Sequence, residues 1–297
     1  MANLHSFMDR FPMVVSSLFP KYFREGVDSP TVWEQVAETE LKRINLMEPG
    51  DHSLSARTPA GELEALVRVQ PHADRQAPVI IYHHGAKEFD TSFKGIFGSS
   101  PRLRAHLVLV RAPFHEGFGR FLYGIGSLRR YLALYAVSVC VTEAVIRQCR
   151  DSLCGPVSVT GTSLGGFISL VHHIHYNSAD RYIPLLAGPN LAHCLLDSAY
   201  ARQVDPRAKA QREYMQSRLD FSADYRRMDH ANVYPLLGRY DQLVVPAANA
   251  AGYGPTPVRL IERGHFTGST AFPLLRGHIS TVALAGTGMQ NPTAAEA

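Results

Sequence analysis

Residues 157–170 read VSVTGTSLGGFISL, and this stretch decides the fold. A β-branched run ends in glycine, one serine follows, two more glycines come next, and a helical run begins. Glycine between a strand and a helix marks a sharp turn or a close backbone approach. Gly161-Thr162-Ser163-Leu164-Gly165 matches Gly-x-Ser-x-Gly, the pattern that presents a serine on a strained strand-to-helix turn. The pattern is short, so its meaning depends on a strand before it, a helix after it and suitable partners later in the chain.

The flanking sequence supplies that context. APVIIYHHG (77–85) is a short apolar run ending in a glycine loop. AHLVLVRAPF (105–114) is a second, closed by Pro113, and GPVSVTG (155–161) is a third. RYIPLLAG (181–188), NVYPLLGRYD (232–241) and TPVRLIERGHF (256–266) follow as strands four to six. Helical runs lie at 126–149, 165–176 and 269–284. Continuous apolar strands separated by helices predict an α/β fold, a mostly parallel central sheet with helices on both faces.

Residues 189–232 are too long for a simple crossover and read as a small helical cap inserted between late strands, with Asp205-Pro206 starting a helix. Core is expected over 53–188 and 233–286, with hairpin material at 53–69 turning at Pro59-Ala60-Gly61. Residues 287–297 read as a flexible tail. Residues 1–52 read as an N-terminal helical extension packed on the core. In it, Thr31-x-x-Glu34 forms a capping box, and Trp33, Val36, Ala37, Leu41 and Ile44 recur at helical spacing.

Composition narrows the class. The 297 residues are 45% hydrophobic and 19% charged, with net charge +4. Basic and acidic residues are mixed along the chain, so no nucleic-acid-binding stripe is expected. Asp9, Arg10, Pro12 and Pro20 interrupt the apolar N-terminus, which argues against a signal peptide. No 18-residue apolar stretch is read, so neither a membrane span nor stable membrane insertion is expected. Cys140, Cys149, Cys154 and Cys194 show neither CxxC pairing nor zinc-site spacing, and buried thiols fit a cytoplasmic protein. His172, His173 and His175 lack a companion carboxylate motif, so no metal is expected.

A serine hydroxyl becomes a nucleophile when a histidine takes its proton and a carboxylate orients that histidine. Asp241 directly follows the fifth strand and His265 the sixth, in the order serine, acid, histidine. Asp197 and Asp229 are rivals for the acid and His278 for the base. Backbone amides must hold the charge that develops on a carbonyl oxygen. Leu164, after the serine, is one donor; Ala86, or Gly85 that opens its loop, is the other. His83, His84 and His115 are candidates for substrate contact, although for His83 a neutral ring hydrogen-bonded to hold the oxyanion loop is the preferred role. Arg111 and His115 lie in a glycine-rich segment read as a solvated lid.

With these residues, the chain resembles the α/β-hydrolase fold superfamily, serine esterase and lipase-like, from about residue 77 to 286. His84-Gly85, Gly161 to Gly165, Asp241 and His265 carry the resemblance. The loop is HHGA here, where some esterases and lipases have three glycines. The resemblance implies Ser163 as nucleophile, His265 as base, Asp241 as orienting acid, a small-molecule acyl substrate and no cofactor. The expected activity is hydrolysis of a carboxylic ester or related acyl compound through an acyl-enzyme. An acyltransferase or peptidase with the same triad, and a non-catalytic binding protein of the same fold, are the alternatives.

Overall fold

The computed structural model describes residues 2–16, 20–42, 48–88, 90–98, 103–153 and 155–287. Cys154, Ile44 and the tail beyond residue 287 lie outside them. The chain opens with helices α1 (Ala2–Ser16) and α2 (Val32–Ala37), then strands β1 (Glu40–Leu41), β2 (Gly50–Thr58), β3 (Gly61–Gln70) and β4 (Val79–His83). Next come α3 (Thr91–Phe97), β5 (His106–Arg111), α4 (Phe118–Gly124), α5 (Leu128–Ser152), β6 (Val157–Thr162), α6 (Leu164–His175) and β7 (Arg181–Leu185). After β7 lie α7 (Leu191–Asp197), a 3₁₀ turn (Ala199–Gln203), α8 (Pro206–Ala210), α9 (Arg212–Leu219) and α10 (Ser222–Tyr225). The chain then forms β8 (Leu236–Gly238), α11 (Pro246–Tyr253), β9 (Arg259–Ile261), α12 (His265–Ser269) and α13 (Phe272–Ala283).

The described strands form one nine-stranded sheet in the order β1-β2-β3-β5-β4-β6-β7-β8-β9. β1, β2 and β3 are antiparallel, and β3 meets β5 antiparallel. From β5 to β9 every neighbouring pair is parallel. This agrees with the mostly parallel sheet read from the sequence. Because side chains alternate along a strand, β4 sends Val79 and Ile81 into one core with α5 and α6. Its Ile80 and Tyr82 enter the other core, with Phe93, Ile96 and Phe97 of α3 and Leu275 and Ile279 of α13. Both faces of the central strands are therefore covered, which is why they carry unbroken apolar runs.

Three expectations need correction. α5 is long and apolar enough, by length and composition, to cross a bilayer, although no such stretch was read. Its most apolar window is 83% buried inside the fold, so packing accounts for the composition. Its buried hydroxyls are satisfied within the helix, Ser138 on the Leu134 carbonyl and Thr142 on the Ser138 carbonyl. The extension over 1–52 is not wholly helical. The Thr31–Glu34 capping box forms, but the helix ends at Ala37. Leu41 pairs with Ala56 across β1 and β2, and β2 begins at Gly50 rather than 53. The edge of β2 offers unpaired backbone groups, and a strand satisfies them where a helix would not. The segment read as a lid is divided: Pro113, Phe114 and His115 are buried, whereas Glu116 and, in α4, Phe118, Arg120 and Tyr123 are exposed.

Candidate active site

Ser163 occupies the turn between β6 and α6 with φ 55° and ψ −112°. A non-glycine residue at positive φ is strained and is held there by what surrounds it. Its amide donates to the Leu185 carbonyl at 2.8 Å. The flanking glycines are demanded by close approach. A Cβ on Gly165 would stand 2.1 Å from the His83 carbonyl oxygen, and one on Gly161 would stand 2.5 Å from the Gly165 carbonyl carbon. β6 and α6 thus press against the end of β4, which also begins the Gly85 loop.

Asp241 follows β8 and is held by its own turn. Its Oδ1 accepts from the amides of Leu243 at 2.8 Å and Val244 at 2.7 Å. Its Oδ2 lies 2.7 Å from Nδ1 of His265. The other ring nitrogen, Nε2, lies 2.9 Å from Ser163 Oγ. A carboxylate only accepts, so Nδ1 carries the proton and the Nε2 lone pair faces the serine hydroxyl. Burial opposes a charge on the His265 ring, but Asp241, with Asp9 and Glu88 further off, outweighs it and raises the pKa above the ordinary histidine value. The rivals lie elsewhere: Asp197 pairs with Arg212, Asp229 caps the Ala231 amide, and His278 bonds the Tyr234 carbonyl.

The loop after β4 runs beside the serine turn, where a Cβ on Gly85 would stand 3.5 Å from the Thr162 carbonyl oxygen. The Gly85 amide is directed at the Glu88 carboxylate at 3.3 Å, so Gly85 is not the donor that the sequence reading allowed it to be. Ala86 and Leu164 line one cavity with Ser163 and His265. The Leu164 amide is at the first position of α6, where a helix provides no internal partner. The serine, the imidazole and the two residues nominated as amide donors therefore line one small space.

No protein-family model and no curated protein sequence matches the chain. Solved structures do. Acylaminoacyl peptidase from Pyrococcus horikoshii is similar over 82% of this chain, with TM-score 0.59 and 12% identity, and this chain spans 44% of that protein. An acetyl xylan esterase from a Paenibacillus species is similar over 86% of this chain and 97% of its own, with TM-score 0.51 and 13% identity. Acetyl xylan esterase 1 from a Thermoanaerobacterium species is similar over 86% and 96%, with TM-score 0.52 and 15% identity.

The chain has the α/β-hydrolase fold.

Within this α/β-hydrolase scaffold, none of the three histidines nominated for substrate contact lines the Ser163 cavity. His83 points to α5, where its Nε2 meets Thr142 Oγ1 at 2.8 Å. His84 braces the loop. Its Nδ1 donates to the Gly85 carbonyl at 2.7 Å, and its Nε2 accepts from the Ala112 amide at 3.1 Å. His115 packs edge-on against His84 and bonds the Pro113 carbonyl. Burial lowers all three pKa values, to about 3 for His83, to about 4 for His115 and well down for His84. They are neutral structural rings because charging them would bury an unpaired cation. His172 bonds Tyr182 and His173 the Asp229 carbonyl, while His175 stacks on Trp33.

The cavity has a volume of about 50 Å³. Its wall includes Tyr22, Tyr131, Tyr135 and Tyr200, with Phe167, Leu191 and Leu195. The phenols pair, Tyr22 with Tyr200 and Tyr131 with Tyr135. Sequence reading missed these tyrosines, because they come from three distant segments, the chain before α2, helix α5 and the 3₁₀ turn. A larger cavity, of about 880 Å³, lies between α2, β1 and α5 and shares no lining residue with the Ser163 cavity. It lacks the paired hydroxyl and imidazole, so size does not identify the chemistry here. Sequence reading also missed Asp9, which is buried beside His265. Its one signal was an acid in an otherwise apolar N-terminal run.

Proposed function

We propose that the protein is a serine hydrolase that cleaves esters of small carboxylic acids. The observation that carries this reading is the His265 ring, with a carboxylate at 2.7 Å from one nitrogen and a serine hydroxyl at 2.9 Å from the other. Ser163 Oγ bonds to the carbonyl carbon while its proton passes to His265 Nε2. The oxyanion is held by the amides of Ala86 and Leu164, whose hydrogen bonds strengthen as charge develops. The carbon–oxygen bond to the alcohol then breaks, and His265 returns the proton to the leaving oxygen. Water repeats the sequence on the acyl-enzyme, with His265 as its base. Asp241 remains ionised throughout and stabilises the imidazolium.

The acyl size follows from the cavity. At about 10–15 Å³ per water-sized group, about 50 Å³ holds roughly three to five small groups. Each phenol pair uses one proton in its own hydrogen bond and keeps a second O–H that can donate to an oxygen of the acyl group. Acetyl to butanoyl esters, bare or carrying an oxygen, fit this wall better than long chains.

The test is fluorophosphonate labelling followed by a series of p-nitrophenyl esters from acetyl to decanoyl. Labelling on Ser163 is expected, with kcat/KM highest at the short end. Ser163→Ala is expected to abolish labelling and reduce turnover by about 10⁴ or more. A folded wild-type protein that neither labels nor turns over esters would favour a non-catalytic binding protein. Turnover of aminoacyl amides alone would make it a peptidase.

A further inference from the structure

α1 buries its acid and, Met13 apart, exposes the large apolar side chains described along it. Leu4, Phe7 and Phe11 are 61%, 57% and 55% exposed, whereas Asp9 is 0% exposed. Apolar burial therefore does not explain where this helix sits. Part of it rests on the 3₁₀ turn, where Gln203 donates to the Met13 carbonyl at 2.7 Å, and its remaining polar contacts fall on the two loops that carry Asp241 and His265. Asp9 Oδ2 accepts from the amide of His265 at 2.8 Å and from the amide of Gln242, the neighbour of Asp241, at 3.0 Å. Asp9 Oδ1 accepts from the Phe266 amide at 3.0 Å. His5 reaches Thr267 and stacks on Tyr240, and Arg10 holds the Gln242 side chain. At Gly264 a Cβ would stand 2.8 Å from Asp9 Oδ2, so the loop closes around the carboxylate without room for a side chain.

One carboxylate thus spans two loops that are also joined by the Asp241–His265 hydrogen bond, by the Tyr240 amide on the Arg263 carbonyl and by Arg239 and Tyr240 on Glu262. We propose that Asp9 is a positioning residue: it fixes the register of the acid loop against the base loop, which makes α1 part of the catalytic apparatus. A rigid tie of this kind matters because a displacement of about 1 Å at the reacting groups can cost roughly 10² in rate. Burial, with Asp241 nearby, raises the pKa of Asp9, and the three amide donors offset part of that rise. The ionisable groups facing His265 are Asp241 from the β8 loop, Asp9 from α1 and Glu88 from the β4 loop. Removing the charge of Asp9, or loosening the Asp241 contact that it aligns, would each lower the proton affinity of His265.

The proposal rests on the hydrolase reading for its consequence in rate, but it can be tested without activity. The His265 ring is followed by NMR in the full chain carrying labelled histidine, assigned by His265→Gln, in wild type and in Asp9→Asn. The expected result is a lower His265 titration midpoint in Asp9→Asn, with fluorophosphonate labelling slowed by about 10 to 100-fold per folded molecule. Asp9→Glu keeps the charge but adds a methylene, and is expected to slow labelling with a smaller change in midpoint. If Asp9→Asn does not fold, Gly264→Ala displaces the carboxylate from the other side and is expected to move both readouts in the same directions. An unchanged midpoint together with an unchanged labelling rate in a folded variant overturns the proposal. Loss of folded yield with a normal rate per folded molecule also overturns it, because that is the mark of a merely structural tie. If wild type itself does not label, a lowered midpoint in Asp9→Asn still supports the positioning role and the failure belongs to the hydrolase reading.

Discussion

His265 sits between an acceptor and a donor, and its proton affinity follows from that position. Burial disfavours the imidazolium, but Asp241 at 2.7 Å favours it, and the balance raises the pKa. Only the neutral ring can take the Ser163 proton. The acid limb of kcat/KM is therefore expected above about 6.5, the ordinary histidine value. The same raised pKa contributes stability that is fully present below the unfolded value and is lost as pH rises through the folded one. Asp241→Asn removes the charge and offers the wrong hydrogen-bond partner, so turnover is expected to fall by about 10⁴. A near-normal rate in that variant would reassign the acid. Ser163, Asp241 and His265 were legible in the sequence because each ends a strand and their order matches a known arrangement. Asp9, Tyr22 and Tyr200 were not, because nothing local ties an N-terminal acid or a scattered phenol to residues hundreds of positions away.

Element contacts decide which glycines matter. Gly165 begins the approach of α6 to β4, and a methyl there would meet the His83 carbonyl at 2.1 Å. Backbone cannot swing aside as a side chain can, so Gly165→Ala is expected to cost at least about 1–3 kcal/mol and to slow labelling by shifting Ser163. Gly277 lies within α13 with nothing within 4 Å of an added Cβ. Gly277→Ala is expected to stabilise by about 0.5–1 kcal/mol through helix propensity. Thermal melting of the two variants checks both signs at once. The elements themselves were largely readable, since β4, β5, β6 and β7 are buried apolar runs and α5 and α6 follow helical spacing. The segment around Leu41 was not, because helical periodicity was extrapolated past Ala37 and the free edge of β2 claimed the chain instead.

Across the whole molecule, buried histidines set the response to acid. His83, His115 and His173 have pKa values lowered to about 3, about 4 and about 4, chiefly by burial. Unfolded, each would titrate near 6.5. The unfolded chain then binds more protons than the folded one between these values. Stability from these three groups is fully present above about pH 6.5 and is lost progressively as pH falls toward 4. Melting temperatures are expected to drop over that window. His83→Gln is expected to flatten the drop, and an unaltered slope in that variant would show that His83 is already charged when folded. Activity loss has a different origin, His265, whose pKa is raised and not lowered, so it is expected at higher pH than the melting drop and the two profiles should have separate midpoints.

The sequence by itself determined the strands and helices of the core, the strained serine turn and the three residues grouped around it. Those features are local, or they repeat at the end of successive strands, so periodicity and chain order express them. Tertiary structure alone decided which amides remain for an oxyanion, since Glu88 engages that of Gly85. It also decided that the neighbouring histidines are braces and that the cavity is small and lined with phenols. It placed Asp9 across the acid and base loops. Each of these depends on side chains brought together from distant segments, and burial assigns their protonation and partners only after the chain has folded.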